Sequence, residues 1–304
     1  MYFNDRDSII SLTSQWKGER LPDGRPKVAD KYLDALYGMT LEEVWKPIFL
    51  LCYEHQLVGG GLAPLTPLHD DVRKLIGRAV TCAYCPTRPD LHEEMFRRGA
   101  ADGRQGNYNQ WVIDNLYERD VVVCDMYDKI YKGTFLGGNL TTALQKHTKN
   151  GGAVIWGGIR DVEQMKKVPD VQVYYRGIDP TPIREFVMKS YNDITNFGGA
   201  VCLPGDVVFG AGGGVLFIPA HLVADVVEGA AKTHVKDDFG FEMIGQGKFT
   251  TAQIDKNTWS EEMLDMLVEW IRTDPRGEEY RDLDWSKEYD LARNGDPNDT
   301  QTAL

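Results

Sequence analysis

The chain has 304 residues, 42% of them hydrophobic and 26% charged, the proportions of an ordinary soluble globular protein long enough to bury a sizeable core. Its formal net charge of −12, from 34 basic and 46 acidic side chains, argues against a nucleic-acid surface, which needs a basic patch. No apolar run reaches the ~18 residues of a membrane span, and the five cysteines are an odd number in a large chain, which argues against a disulfide framework and for a reducing cytoplasm.

Residues 1–7 lack the basic-then-apolar order of a signal peptide. Val28, Tyr32, Leu33, Ala35 and Leu36 recur at near-helical spacing. Thr40-Leu41-Glu42-Glu43 has the form of a capping box opening a second helix. Gly59-Gly60-Gly61, with Pro64 and Pro67, marks a loop, and the first firm strand is expected over residues 77–84. From Asp120 the rhythm becomes regular: a strand over 121–124, a helix over 140–149, a strand over 153–156 and an alternating strand over 171–175. Asp179-Pro180-Thr181-Pro182 makes a turn-rich break. Further strands are expected at 199–202, 206–209 and 215–218, then a helix from His221 to about Lys236. Strands alternate with helices early and cluster late, which favours a mixed α/β layer structure over a clean doubly wound sheet. Met263, Met266, Leu267, Trp270 and Ile271 form an apolar helical stripe that packs on the core or on another subunit. Past Glu288 a polar, mobile tail is expected.

The chemical signals concentrate in Gly137-Gly138-Asn139-Leu140 and Gly157-Gly158-Ile159-Arg160-Asp161. A glycine-rich turn opens a helix, whose free N–H groups attract an anion. Two glycines end the 153–156 strand, where they would let the backbone come close to a ligand. Arg160 suits a two-pronged grip on a carboxylate, and Asp161 suits a hard divalent cation. Together they point to a small carboxylic acid bound beside a metal; the plain alternative is an exposed ion pair at a strand end. One carboxylate is a sparse ligand set, but Mg2+ keeps several waters and takes one or two protein carboxylates.

Other candidates have plainer readings. Gly210-Ala211-Gly212-Gly213-Gly214 precedes a strand and not a helix, so it reads as a tight strand turn and not a nucleotide loop. Cys82 and Cys85 have metal-like spacing with His92 nearby, yet no second cysteine pair follows, so they read as buried thiols. His234, Asp237 and Asp238 share a helical face, as a general base, a second metal ligand or a solvated surface. Asp125 and Asp128 follow the 121–124 strand, where they would reach a site or cap a turn. Lys132 is a candidate substrate contact, without the apolar surroundings of a Schiff-base lysine.

In order and spacing, Gly77-Arg78-Ala79-Val80-Thr81, Asp120-Val121-Val122-Val123, Gly138-Asn139-Leu140, Gly157-Gly158-Ile159-Arg160-Asp161, Pro204-Gly205-Asp206-Val207-Val208 and Gly214-Val215-Leu216-Phe217-Ile218-Pro219 resemble the RraA-like family, over about residues 75–230. That family is named after regulator of ribonuclease activity A and also contains class II pyruvate aldolases acting on 4-hydroxy-4-methyl-2-oxoglutarate. The resemblance implies an α/β fold of the β/β/α swivelling-domain type as the core over 75–230. Residues 1–74 would form a helical N-terminal extension with the opening helices, and residues 231–304 a helical C-terminal extension and tail. It implies a homotrimer or homohexamer with active sites between subunits. It further implies that Asp161 binds Mg2+ or Mn2+, and that Arg160 with the backbone amides of Gly138, Asn139 and Leu140 holds the pyruvate-like part of a small carboxylic acid substrate. Asp237 or Asp238, from a neighbouring subunit's C-terminal helix, would assist proton transfer. Asn139 departs from the Glu of many relatives, and Ala211-Gly212-Gly213 replaces their acidic turn. The expected activity is a metal-dependent lyase that cleaves a hydroxylated 2-oxo acid through an enolate, by aldol cleavage or decarboxylation. The alternatives are a sugar-acid dehydratase or isomerase using the same site, and a non-catalytic regulator that binds a ribonuclease.

Overall fold

A computed structural model describes residues 5–67 and 74–295, in two compact units, Met1–Val226 and Val227–Leu304. The first unit opens with three short helices, α1 (Arg6–Leu12), α2 (Asp30–Ala35) and α3 (Leu41–Leu50). The capping box forms at α3: the Thr40 hydroxyl accepts the Glu43 N–H at 3.3 Å, and the Glu43 carboxylate accepts the Thr40 N–H at 2.7 Å. Then come β1 (Leu57–Gly59), β2 (Ala63–Pro64), β3 (Leu75–Pro86), α4 (Pro89–Ala101) and α5 (Tyr108–Ile113). The centre of the unit is β4 (Asp120–Leu136), α6 (Gly138–Thr148), β5 (Gly152–Ile159), α7 (Val162–Met165) and β6 (Gln172–Ile178). It closes with β7 (Phe186–Tyr191), β8 (Thr195–Phe197), β9 (Ala200–Cys202), β10 (Val207–Ala211) and β11 (Gly214–Ile218).

The strands β3, β4, β5 and β6 run parallel, side by side. On the β3 side, β10, β11 and β1 follow antiparallel; on the other, β2 pairs with β6. β7 pairs antiparallel with the C-terminal half of β3. The result is the mixed α/β layer structure expected. Both faces of the sheet are buried, so β4 reads as a continuous apolar run. Val122 and Cys124 join one core cluster with Met95, Trp111 and Leu144 from the helices. Val121 and Val123 join another with Val154, Tyr174 and Phe217. The antiparallel β10 and β11 are joined at Gly212-Gly213, with Gly212 at φ +55°, so the glycine run is the strand turn and not a nucleotide loop.

A buried ion pair ties the N-terminal segment to the foot of the sheet. Arg25 Nη1 and Nη2 each lie 2.8 Å from the two carboxylate oxygens of Asp120, and neither side chain is exposed to solvent.

Three expectations need correction. β4 runs twelve residues beyond Cys124, to Leu136, with irregularities in its pairing to β5 at Asp125, Lys129 and Thr134. Tyr127, Asp128 and Lys132 take positive φ there, and the detour hides the strand's alternation. The helix expected to end near Lys236 is α8 (Val223–Gly245), which continues because Phe239 and Met243 extend its apolar stripe. The polar stretch after Glu288 is not simply a tail: it forms α11 (Ser286–Asn294), and residues 296–304 lie outside the described residues.

In the second unit, α8 is followed by α9 (Thr251–Ile254) and α10 (Glu261–Thr273) before α11. The stripe of Met263, Leu267, Trp270 and Ile271 packs inside this unit against Val235, Phe239 and Met243. Among the described residues no helix is long and apolar enough to cross a membrane.

Candidate functional site

The parallel strands β4, β5 and β6 end level with one another, Leu136 beside Ile159 and Ile159 beside Ile178. In α/β sheets the carboxyl ends of parallel strands are where ligands bind. Here Leu136 hands over to Gly137, which precedes α6, and Ile159 hands over to Arg160 and Asp161, which precede α7. The two strand ends are held together because the Arg160 N–H donates to the Leu136 carbonyl at 3.0 Å.

Asp161 takes the left-handed conformation, φ +54° and ψ +37°. Aspartate tolerates that region better than most residues because its short side chain bonds locally. Its Oδ2 accepts the Gly138 N–H at 3.2 Å and lies 3.2 Å from Arg160 Nη1. Gly137 makes room for this. A Cβ at residue 137 would stand 2.6 Å from Asp161 Oδ2 and 3.1 Å from Arg160 Cγ. The backbone at Gly137 is extended, φ −146°, so side-chain crowding and not a special conformation requires glycine. The structure thus brings together Gly138, Arg160 and Asp161. Asn139 is exposed on the first turn of α6, and Leu140 packs against the core.

The doublet Gly157-Gly158 has a different role from the one expected. Both glycines lie within β5 and not beyond its end. A Cβ on Gly157 would stand 2.6 Å from Met126 Cβ, and one on Gly158 would stand 3.0 Å from the Ile130 carbonyl oxygen. The missing side chains admit the β4 detour, not a ligand. Gly137 is the residue whose bareness serves the site; the sequence signal for it is a glycine pair immediately before a helix start.

The remaining candidates are held by partners. Asp128 forms an ion pair with Arg176 at 2.9 Å, and Lys132 pairs with Glu185. Asp125 accepts the Tyr127 N–H at 2.8 Å, and burial pushes its carboxyl above the usual range. Cys82 is buried in the core, Cys85 lies at its margin, and His92 Nδ1 faces the Tyr108 hydroxyl at 3.2 Å. In the second unit, His234, Asp237 and Asp238 are half-buried on α8.

The donor set at the strand ends fits a hard divalent cation. Asp161 Oδ1 accepts no hydrogen bond among the described residues, and the side chain is 36% exposed. No group of three His, Cys, Asp or Glu side chains is placed to hold a metal ion among the described residues. A protein-ligated Zn2+ site needs three or four such groups, whereas Mg2+ is held by one or two carboxylates with water and substrate filling its shell.

Comparisons with known proteins bear on the family and the fold. The RraA-like family model, Aldolase/RraA, matches residues 42–217, and the chain belongs to that family. It is 31% identical over 172 residues to Protein DlpA of Legionella pneumophila, covering 56% of this chain but only 25% of DlpA. Over 158 residues it is 30% identical to a Pseudomonas aeruginosa protein provisionally named 4-hydroxy-4-methyl-2-oxoglutarate aldolase, covering 47% of this chain and 96% of the relative. Among solved structures, an uncharacterized protein from Pseudomonas syringae superposes with a TM-score of 0.58 at 20% identity, over 78% of this chain and 98% of that one. Streptomyces coelicolor RraAS2, described as an unusual member of the RNase ES inhibitor RraA protein family, gives 0.57 at 20% identity, over 71% and 99%. These structures share the fold.

Proposed function

We propose that the protein is a divalent-metal-dependent carbon–carbon lyase that releases pyruvate, or a related 2-oxo acid, from a hydroxylated 2-oxo acid. The observation that carries this reading is the fixed trio at the strand ends: Asp161 turned back over bare Gly137, Arg160 alongside, and the α6 N-terminus next to both. Arg160 grips the substrate carboxylate with its planar fork. The first-turn N–H groups of α6 add positive potential toward the oxygen on which charge develops. In the aldol cleavage, the substrate hydroxyl loses its proton, the carbon–carbon bond breaks, and its electron pair forms the enolate of the 2-oxo acid. A bound Mg2+ or Mn2+, with Asp161 as its protein ligand, would supply Lewis acidity toward that 2-oxo group. Asp237 or Asp238 of a neighbouring copy is our choice for the proton-transfer carboxylate. Decarboxylation of oxaloacetate needs the same enolate and follows as a second activity.

The test is pyruvate release from oxaloacetate and from 4-hydroxy-4-methyl-2-oxoglutarate, first with EDTA and then with added Mg2+ or Mn2+. Release restored by metal is the expected result. No release with any metal, from a folded protein, would overturn the lyase reading and favour sugar-acid chemistry or a partner-binding regulator.

A further inference from the structure

Three successive carbonyls lead out of β4 into α6, and each is held by a different residue. The Phe135 carbonyl accepts the Nδ2 of buried Asn109 at 3.0 Å, and the Leu136 carbonyl accepts the Arg160 N–H. The Gly137 carbonyl accepts two donors from Thr141, the backbone N–H at 3.0 Å and the hydroxyl at 2.9 Å. In a trans peptide the carbonyl and the following N–H point in opposite directions. The other end of this peptide unit is the Gly138 N–H, which donates to Asp161 Oδ2 at 3.2 Å. One peptide is thus gripped at both ends, by Thr141 within α6 and by Asp161 at the strand ends.

Packing alone does not call for a threonine at this position. Thr141, Leu144 and Thr148 form the buried stripe of α6, and Thr141 is shut off from solvent. An alkyl side chain fills such a place, and threonine is a poorer helix former than alanine or leucine. A buried hydroxyl costs free energy unless it is bonded. Thr148 makes the same back-bond, to the Leu144 carbonyl at 2.9 Å. What sets Thr141 apart is the peptide it holds, because the far side of that peptide carries Asp161. Hydrogen bonds in a chain also polarise one another, so the hydroxyl on the Gly137 carbonyl strengthens the Gly138 N–H as a donor.

Resting on the reading of Asp161 as the metal ligand, we infer that Thr141 is a positioning residue for that carboxylate. Its hydroxyl fixes the Gly137–Gly138 peptide, the Gly138 N–H fixes Asp161 Oδ2, and Oδ1 is left for the cation. Thr141 acts only through these bonds. Removing a group that orients a metal ligand typically costs about 10–100-fold in metal affinity. A neutral hydroxyl two bonds behind the ligand belongs at or just below the lower end of that range.

The experiment measures Mn2+ binding to the full chain by water-proton relaxation, counting the part that Asp161→Asn removes. Thr141→Val keeps the side-chain shape and the backbone N–H and loses the hydroxyl, and it should weaken that binding about 5–10-fold. Thr141→Ala, a better helix former, should weaken it to a similar degree. Thr141→Ser returns the hydroxyl and should recover wild-type affinity within about twofold. Thr148→Val loses the same back-bond from the same buried stripe, together with the Gly151 N–H that the Thr148 hydroxyl accepts. It should lower the melting temperature at least as much as Thr141→Val, yet leave Mn2+ affinity within about twofold. Unchanged affinity in Thr141→Val and Thr141→Ala, no recovery in Thr141→Ser, or an equal loss in Thr148→Val overturns the inference; the lyase reading survives where metal restores pyruvate release. The expected pattern of affinities, with no pyruvate released from any hydroxylated 2-oxo acid, upholds the positioning role while the lyase reading falls. Wild type that binds Mn2+ no better than Asp161→Asn overturns both.

Discussion

Asp161→Asn separates chemistry from folding at this site. Asparagine is among the few residues that accept the left-handed conformation, so the φ of +54° adds little strain in the variant. The amide oxygen can still accept the Gly138 N–H that reaches Oδ2 at 3.2 Å. What disappears is the charge. The ion pair with Arg160 joins side chains 40% and 36% exposed, a setting worth roughly 0–1 kcal/mol. The melting temperature should therefore fall by no more than about 4 °C. Turnover should fall about 10²–10³-fold, the effect of removing one charge-stabilising group from an active site, or about 2.7–4 kcal/mol of barrier. Metal-supplemented pyruvate release and a thermal melt on the same preparations give both numbers. Near-normal turnover would refute the role of the carboxylate. A collapse of the melting temperature would refute the claim that Asp161 serves the site and not the fold.

Gly137→Ala should leave secondary structure intact, since alanine adopts the extended backbone found there, and should reduce kcat about 10²-fold by pushing the Asp161 carboxylate aside; unchanged kinetics would show that the contact yields freely. Arg25→Met strands the buried Asp120 carboxylate and should cost about 3–5 kcal/mol in urea unfolding, with Arg25→Met/Asp120→Leu more stable than the single variant. Burial pushes the Asp206 carboxyl up to about 7, against the stabilising Leu203 and Ala220 N–H groups, so the folded state holds a proton that the unfolded chain releases near pH 4. That contribution to stability is complete below the unfolded pKa and is lost as pH rises through the folded one, with a slope of up to about 1.4 kcal/mol per pH unit between them. In Asp206→Asn this slope should vanish from unfolding free energies measured between about pH 5 and about pH 8; an unaltered slope would assign the dependence to another group.

Arg160, Asp161 and the start of α6 are legible in the sequence because each depends on residue type at the end of a clear apolar run. The order of β3 to β6 is legible for the same reason. The purpose of the glycines is not. A missing Cβ looks the same in sequence whether a ligand, a carboxylate or a neighbouring strand fills the space, so Gly157-Gly158 reads as room for a ligand when it is room for the β4 detour. β7 escapes notice because Phe186, Val187 and Met188 are buried in succession, with exposed Lys189 following, and no period of two remains. The length of β4 is hidden likewise, since its polar detour is stabilised by Gly157, Gly158 and Gly177, which lie far along the chain. In each case the deciding partner is remote, and local patterning carries no record of it.

The Arg25–Asp120 pair has a consequence for synthesis on the ribosome. Its two halves lie 95 residues apart in the chain. Domains emerge from the N-terminus at about 5–20 residues per second, so Arg25 waits roughly 5–20 s for its carboxylate. Until β4 has been made, Arg25 has the adjacent Asp23 carboxylate and, on β3, the Ala79 carbonyl, but not its buried two-pronged partner. The opening segment thus completes its buried ion pair only once the start of β4 has been made, and its docking reports that Asp120 is in place.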